Sequence, residues 1–165
     1  MSGTPRLALP FISPGQAQKE LMHNEALQLL DFLVAGAVEE EPRVAPPTSP
    51  AQGWCYIVAP SATGEWAGKD HSLAAFSSGG WRYVPAVDGM SVFVRSTGKW
   101  ALFLSGAWEF GAVRGSRLMI EGQQVVGPRA AAIAAPTGGS TIDSEARATV
   151  ADILAALRAH GLIDM

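Results

Sequence analysis

Six short runs rich in β-branched and aromatic residues occupy the middle of the chain and limit its possible folds more than any other feature. They cover residues 54–58, 72–76, 81–84, 91–95, 100–104 and 107–110. Clusters of Gly, Ser, Thr and Asp separate these runs at the spacing of about 8 to 12 residues expected of short strands. This pattern predicts a small antiparallel β-sandwich or open barrel. A further hairpin is predicted around Glu121-Gly122.

The segment before these runs has the periodicity of an amphipathic helix. Ser13, Pro14 and Gln16 are typical of a helix start, with Ser13 as the cap and Pro14 at the first helical position. Apolar residues then recur at three- and four-residue steps up to Gly36, at Leu21, Ala26, Leu27, Leu30, Leu33 and Val34. One helix, or two helices that separate near Met22, would fit. The preceding run 7–12 contains Pro10, which predicts an extended edge segment against a neighbour.

The last thirty residues have the pattern of a short helix with a heptad seam. Asp143 and Glu145 lie where the positive end of a helix favours carboxylates, and Gly161 provides a stop. We predict an oligomerisation surface because two heptads are too short to be stable alone; the alternative is a helix folded back on its own domain. Its residues are Ile142, Ala146, Val150, Ile153, Leu154 and Leu157.

Together these patterns predict an α+β fold that is mainly β. The expected parts are an N-terminal segment and helix for particle attachment (1–38), a Pro-rich linker (39–52), a Trp-rich β-domain (53–111), a hairpin and connector (112–135), and a C-terminal oligomerisation helix (136–165).

The composition indicates association with other chains. Hydrophobic residues make up 48% and charged residues only 16%, so we expect other copies to cover part of the apolar surface. A net charge of −3 with scattered basic residues argues against nucleic-acid binding. The chain lacks the features of a signal peptide and any apolar run of about 18 residues, which predicts cytoplasmic synthesis without membrane insertion. Cys55, the single cysteine, is expected to be a buried small hydrophobe.

Catalytic signatures are absent from the sequence. It contains no nucleophile elbow, phosphate loop, dinucleotide fingerprint or zinc-ligand spacing, so we predict no enzyme activity, no catalytic residue, no metal and no cofactor. The acids Glu65, Asp70 and Asp88 could serve a polysaccharide hydrolase only if the fold brought them to one cleft. The neighbours Lys69 and His71 are expected to form a polar loop tip, and His23, Asn24 and Glu25 to make structural hydrogen bonds.

Five tryptophans lie within a 55-residue window. Aromatic faces near turns can stack on sugar rings or anchor a protein interface, but a thin β-domain can also need them to fill its core. Both interpretations stay open, and we expect Trp66, on its Gly-rich loop, to be the most exposed. The candidate ligand-binding residues are Trp54, Trp66, Trp81, Trp100 and Trp108.

Three blocks of sequence carry a resemblance to a known family. They are Gly15-Gln16-Ala17-Gln18-Lys19-Glu20 with His23-Asn24-Glu25-Ala26-Leu27, then Ala62-Thr63-Gly64 with Trp66-Ala67-Gly68, then Gly106-Ala107-Trp108. The chain resembles a phage-derived family of unassigned biochemistry found in prophages and gene transfer agents. Its closing segment, from Asp143 to Ile163, is similar to the tails of phage head-fibre and tail-fibre proteins.

The resemblance implies a structural role in a phage-like particle. It suggests a homo-oligomeric head spike or fibre subunit, as a trimer or pentamer, that contacts other particle proteins such as the capsid or a spike base. Such a subunit would be assembled into particles that are released by lysis, and would bind host surface polysaccharide. The alternatives are a carbohydrate-binding module or tail-fibre adhesin and, with less support, an envelope-polysaccharide hydrolase.

Overall fold

The computed structural model describes residues 4–7, 9, 11–12 and 19–165. It divides into two compact units, Met1–Ala112 and Val113–Met165. The first unit contains α1 (Lys19–Val34), β1 (Ala37–Val38), β2 (Cys55–Ile57), a 3-10 turn (Gly64–Trp66), β3 (Leu73–Ser77), β4 (Gly80–Val84), β5 (Ser91–Val94), β6 (Lys99–Leu104) and β7 (Ala107–Phe110). The second contains β8 (Leu118–Ile120), β9 (Gln123–Val126) and α2 (Ser144–Ala159). The predicted fold class, α+β and mainly β, is confirmed.

Two sheets form the body of the first unit. One has the strand order β1-β5-β6-β7 and the other β2-β3-β4. All neighbours are antiparallel except β1 and β5, which are parallel. The sheets meet where the amide of Glu39, just after β1, donates to the carbonyl of Cys55 in β2 at 2.9 Å. The described strands therefore form an open, sandwich-like arrangement and do not close a barrel.

The main core lies between these sheets. Alternating residues of β5, such as Val92 and Val94, meet Ile57 and Leu73 from the other sheet, and Phe32 of α1 joins them. Cys55 belongs to this core, as predicted. Burial raises the pKa of its thiol to about 11, so it remains protonated and unreactive at neutral pH.

Within the three-stranded sheet, β2 is buried on both faces, whereas the edge strand β4 is half-buried. Cys55 and Ile57 face the main core, whereas Tyr56 and Val58 belong to a second cluster with Trp66 and other residues on the opposite face. A strand covered on both sides needs apolar residues at successive positions, which explains the unbroken run in this part of the sequence.

The Pro-rich stretch 39–52, which we predicted as a linker, runs alongside β2. Arg43 forms a parallel bridge with Val58, and its amide donates to the carbonyl of Ile57 at 3.2 Å. Its guanidinium lies 5.7 Å from the centre of the Tyr56 ring. Extended, proline-rich backbone can lie beside a strand without contributing a full ladder of hydrogen bonds.

Two hairpins have the turns that their sequences predict. Ser105 and Gly106 connect β6 to β7 with φ values of 52° and 81°, and Glu121 and Gly122 connect β8 to β9 with 49° and 78°. Positive φ at both central residues is characteristic of the type I′ turn, whose twist matches that of the flanking strands.

Asp31 of α1 fixes the N-terminal loop. Its carboxylate is fully buried and accepts hydrogen bonds from the Thr4 hydroxyl at 2.8 Å and from the amides of Arg6 and Leu7. The helix is continuous through Met22, whereas its predicted start at Ser13, Pro14 and Gln16 lies outside the described residues. Of the predicted edge segment 7–12, Leu7 belongs to a turn; residues 8 and 10 are likewise outside the description.

Replacing Asp31 with Asn tests this anchor. The amide nitrogen of Asn cannot accept a hydrogen bond, so one buried donor loses its partner and the charge-assisted bonds weaken. We expect a loss of about 2 to 3 kcal/mol in the free energy of unfolding of the first unit. Tryptophan fluorescence in urea isolates this transition, because all five tryptophans belong to that unit. Asp152→Asn, at an exposed position of α2, is the control; equal unfolding midpoints for the two variants would contradict the anchor.

Candidate functional site

The five candidate tryptophans separate into core and surface residues. Trp66 is completely buried, and Trp81 and Trp108 are half-buried against the two clusters. Trp54 and Trp100 are 39% and 59% exposed. The prediction that Trp66 is the most exposed of the five is therefore wrong.

The loop 59–72 explains the burial of Trp66. It folds over the outer face of the three-stranded sheet, where the Trp66 ring lies 5.0 Å from that of Trp81. The Asp70 carboxylate holds the loop by accepting from the amides of Ser61 and Ala62, and these bonds lower the pKa of Asp70. The Tyr83 hydroxyl closes the other side by donating to the carbonyl of Glu65 at 2.8 Å. Gly64 and Gly68 on either side of Trp66 have positive φ values of 63° and 73°, which glycine adopts without strain in such turns.

Trp108 also has a structural position. Its ring packs against the main core, and its indole Nε1 donates to the carbonyl of His71 at 2.8 Å. This bond ties β7 to the end of the loop 59–72. The indole N–H of Trp108 therefore forms its hydrogen bond within the fold.

Trp54 lines a polar cleft of about 400 Å³. Arg6, Arg95 and Glu39 lie on the same cleft, together with the exposed Gln52. The Glu39 carboxylate is shared, 3.8 Å from Arg6 Nη2 and 3.6 Å from Arg95 Nη1. An aromatic face beside convergent donors and acceptors is an arrangement suited to a sugar, whose ring stacks while its hydroxyls form hydrogen bonds.

Arg6 supplies a rigid wall to this cleft. Its side chain is only 7% exposed, and it donates to the carbonyls of Gly53 at 2.6 Å and Ala37 at 2.8 Å. Burial lowers its pKa. The remaining nitrogen, Nη1, is enclosed and forms no hydrogen bond with the described residues. Sequence reasoning missed Arg6, because only the fold brings this residue beside Gly53.

Trp100 lies on the outer face of the four-stranded sheet. It pairs with Phe93 across β5 and β6, and the two rings are 5.6 Å apart in an edge-to-face arrangement. Phe93 pairs in turn with Ala37 of β1. This row is apolar and lies on the face of the sheet away from the core.

The acids considered for hydrolysis do not share an evident catalytic arrangement. Asp70 is occupied by backbone amides, and Asp88 lies in an exposed turn after β4. Lys69 faces the Tyr83 ring at 5.3 Å, whereas the His71 ring lies 6.1 Å from that of Phe103. Within the described part of the chain, no cluster of three His, Cys, Asp or Glu residues could hold a metal ion.

The second unit holds the predicted oligomerisation residues. Asp143 caps α2 by accepting from the amide of Ala146 at 2.8 Å, and Gly161 ends the turn after the helix with a φ of 68°. Leu154 is buried and Leu157 half-buried. The other four, Ile142, Ala146, Val150 and Ile153, are exposed.

Comparison with known proteins assigns the chain to a family. The fold is that of a mainly β protein with a polar cleft beside Trp54. A family described as "Protein of unknown function (DUF2793)" matches residues 23–109. This match covers more than half of the chain, which therefore belongs to that family; it runs from α1 into β7. No curated protein matches the chain. Neither of the helices described is long and apolar enough to cross a membrane.

Truncating two tryptophans distinguishes core from surface positions. Trp66→Ala leaves a large cavity, so we expect it to lower the free energy of unfolding by about 3 to 5 kcal/mol. Trp100→Ala removes an exposed ring and should cost about 1 kcal/mol or less. Urea unfolding followed by circular dichroism measures both. A larger loss for Trp100→Ala than for Trp66→Ala would contradict the assignment.

Proposed function

We propose that this chain is a homo-oligomeric structural subunit of a phage-like particle, such as a head spike or fibre of a prophage or gene transfer agent. The second unit joins the copies, and the first unit is presented at the particle surface. The role is structural, without enzyme activity.

The observation that carries the proposal is the scarcity of core in the second unit. Only Leu154 and Ile163 are buried in residues 113–165, all of which the structure describes. Its exposed large apolar residues are Val113, Leu118, Met119, Ile120, Val125, Val126, Ile133, Ile142, Val150, Ile153, Leu162 and Met165. A unit of this size is marginally stable even with a good core, so it needs a partner surface.

The β8–β9 hairpin of this unit, like α2, needs a partner surface to be stable. All residues of β8 and β9 are exposed on both faces. An isolated two-stranded hairpin is marginal in water. Burying one large apolar side chain contributes roughly 1.5 to 3 kcal/mol, so packing against equivalent residues of other copies would stabilise both elements.

The resemblance to prophage and gene transfer agent proteins supports the particle role. In that setting the N-terminal part contacts other particle proteins such as the capsid or a spike base. The resemblance to fibre tails favours a trimer or pentamer. The protein would be synthesised in the cytoplasm and leave the cell in particles released by lysis.

Charge placed on the exposed seam of α2 tests the oligomer. Ile153→Asp puts a carboxylate into the expected contact, so we expect the oligomer to dissociate at a concentration about tenfold or more higher than for the unaltered chain. Light scattering over a dilution series measures the mass. Ala155→Asp, two positions along the same helix and also exposed, is the matched control. A chain that is monomeric at all concentrations, or an Ile153→Asp variant that keeps the original association, would exclude this proposal.

Binding of host surface polysaccharide is a second candidate function, favoured by the cleft at Trp54. The exposed indole would stack on a sugar ring, while Arg95, Glu39 and Gln52 would meet its hydroxyl groups. Trp81 and Trp108 are less suited to bind a sugar because their rings are packed against the two core clusters.

A glycan array probed with the full-length chain tests this second function. We expect Trp54→Ala to weaken binding by about tenfold, the loss of one aromatic stacking contact. Trp100→Ala, which removes an exposed ring that does not line the cleft, should bind as the unaltered chain does. If no glycan on the array bound the chain, sugar binding would be excluded and only the structural role would remain.

A further inference from the structure

The polarity of α1 is reversed with respect to an ordinary surface helix. Its inward side carries Asn24, Glu25 and Asp31, which bind the Ile12 backbone, Arg82 and the N-terminal loop respectively. Phe32 is the one large apolar side chain of the helix in the core. Polar contacts therefore attach the helix to its unit, where a surface helix normally uses an apolar stripe.

The opposite side of α1 is apolar and exposed. Met22, Leu30, Leu33 and Val34 are 79%, 48%, 39% and 70% exposed, and Ala26 between them is exposed as well. His23, Ala26, Leu30 and Leu33 follow one another at steps of three, four and three. These steps are the alternating a and d positions of a heptad, whose geometry fits another helix.

We propose that α1 packs in parallel against α1 of a second copy of this chain, along the seam of His23, Ala26, Leu30 and Leu33. This inference rests on the proposed homo-oligomer and names a second contact within it. Copies that attach to a particle at one end share one direction, so equivalent seam residues meet across the symmetry axis.

The composition of the seam favours an identical helix as its occupant. His23 is its only titratable residue and it carries no Asp, Glu, Lys or Arg, so two copies can approach without repulsion between permanently charged side chains. Ala26 leaves room for close approach in its middle, and Met22 and Val34 flank it at the neighbouring g and e positions.

The exposed apolar area of α1 is large enough for part of an interface between copies, but not for a complete one. The exposed fractions of Met22, Leu30, Leu33 and Val34 add up to the surface of more than two complete residues. This corresponds to an area on the order of 400 Å², if a large aliphatic residue has slightly less surface than an aromatic one. A stable interface buries about 800 Å² per partner. The exposed apolar residues of 113–165 on the same copies would provide the remainder.

Disulfide cross-linking tests the pairing directly. Ala26→Cys places a thiol at a d position of the seam, where the facing Cα atoms of a parallel pair come within the roughly 4.4 to 6.8 Å that a disulfide spans. Mild oxidation of the full-length variant with copper phenanthroline should give a dominant band of twice the chain mass on a non-reducing gel. Cys55 does not interfere, because it is 1% exposed.

Leu21→Cys is the matched control. Leu21 is more exposed than the seam residues Leu30 and Leu33, yet it lies at an f position, pointing away from the seam. It should remain a single-chain band under the same oxidation. Far-ultraviolet circular dichroism verifies that both variants are folded.

The outcomes separate this inference from the proposed function. An oligomer by light scattering in which Ala26→Cys fails to cross-link would overturn the α1 contact and leave the proposed function standing. Equal cross-linking of Leu21→Cys would also overturn it, since that result shows random collision. A monomer by light scattering would exclude both.

Discussion

The buried carboxylate of Asp31 determines how the N-terminal part of the chain is arranged. By holding Thr4, Arg6 and Leu7, it fixes the loop that places the Arg6 guanidinium beside Gly53 and Ala37. The same bonds turn a polar side of α1 inward and leave its apolar side in solvent. A single buried charge, satisfied by hydrogen bonds, therefore shapes both the Trp54 cleft and an exposed helical seam.

The two units differ in how they are stabilised. The first buries apolar residues between two sheets and on the outer face of β2 and β3, so it has its own core. The second relies on Leu154 and Ile163, and its hairpin is exposed on both sides. This contrast is the basis of the proposed roles, in which the second unit joins copies and the first presents a surface.

Local sequence patterns predicted most secondary-structure elements, whereas contacts between residues far apart in sequence determine the candidate site. The strand positions, the hairpin at Glu121-Gly122 and the stop after α2 at Gly161 were predicted from turn residues and periodicity. β1 has two residues and no pattern of its own; it exists because it pairs in parallel with β5. The burial of Trp66 depends on Asp70 closing a loop over Tyr56. Nothing near Asp31 in the sequence indicates its contacts with Thr4 and Arg6, which lie 27 and 25 residues away along the chain.

Hydrogen–deuterium exchange of the full-length chain at several concentrations tests most directly whether other copies complete the second unit. We predict that the amides of β9 and α2 are protected in the oligomer and exchange rapidly after dilution below the dissociation concentration, while those of β2 and β3 stay protected throughout. Protection of β9 and α2 that persists unchanged in a monomer would contradict this view, because the second unit would then be stable without partners.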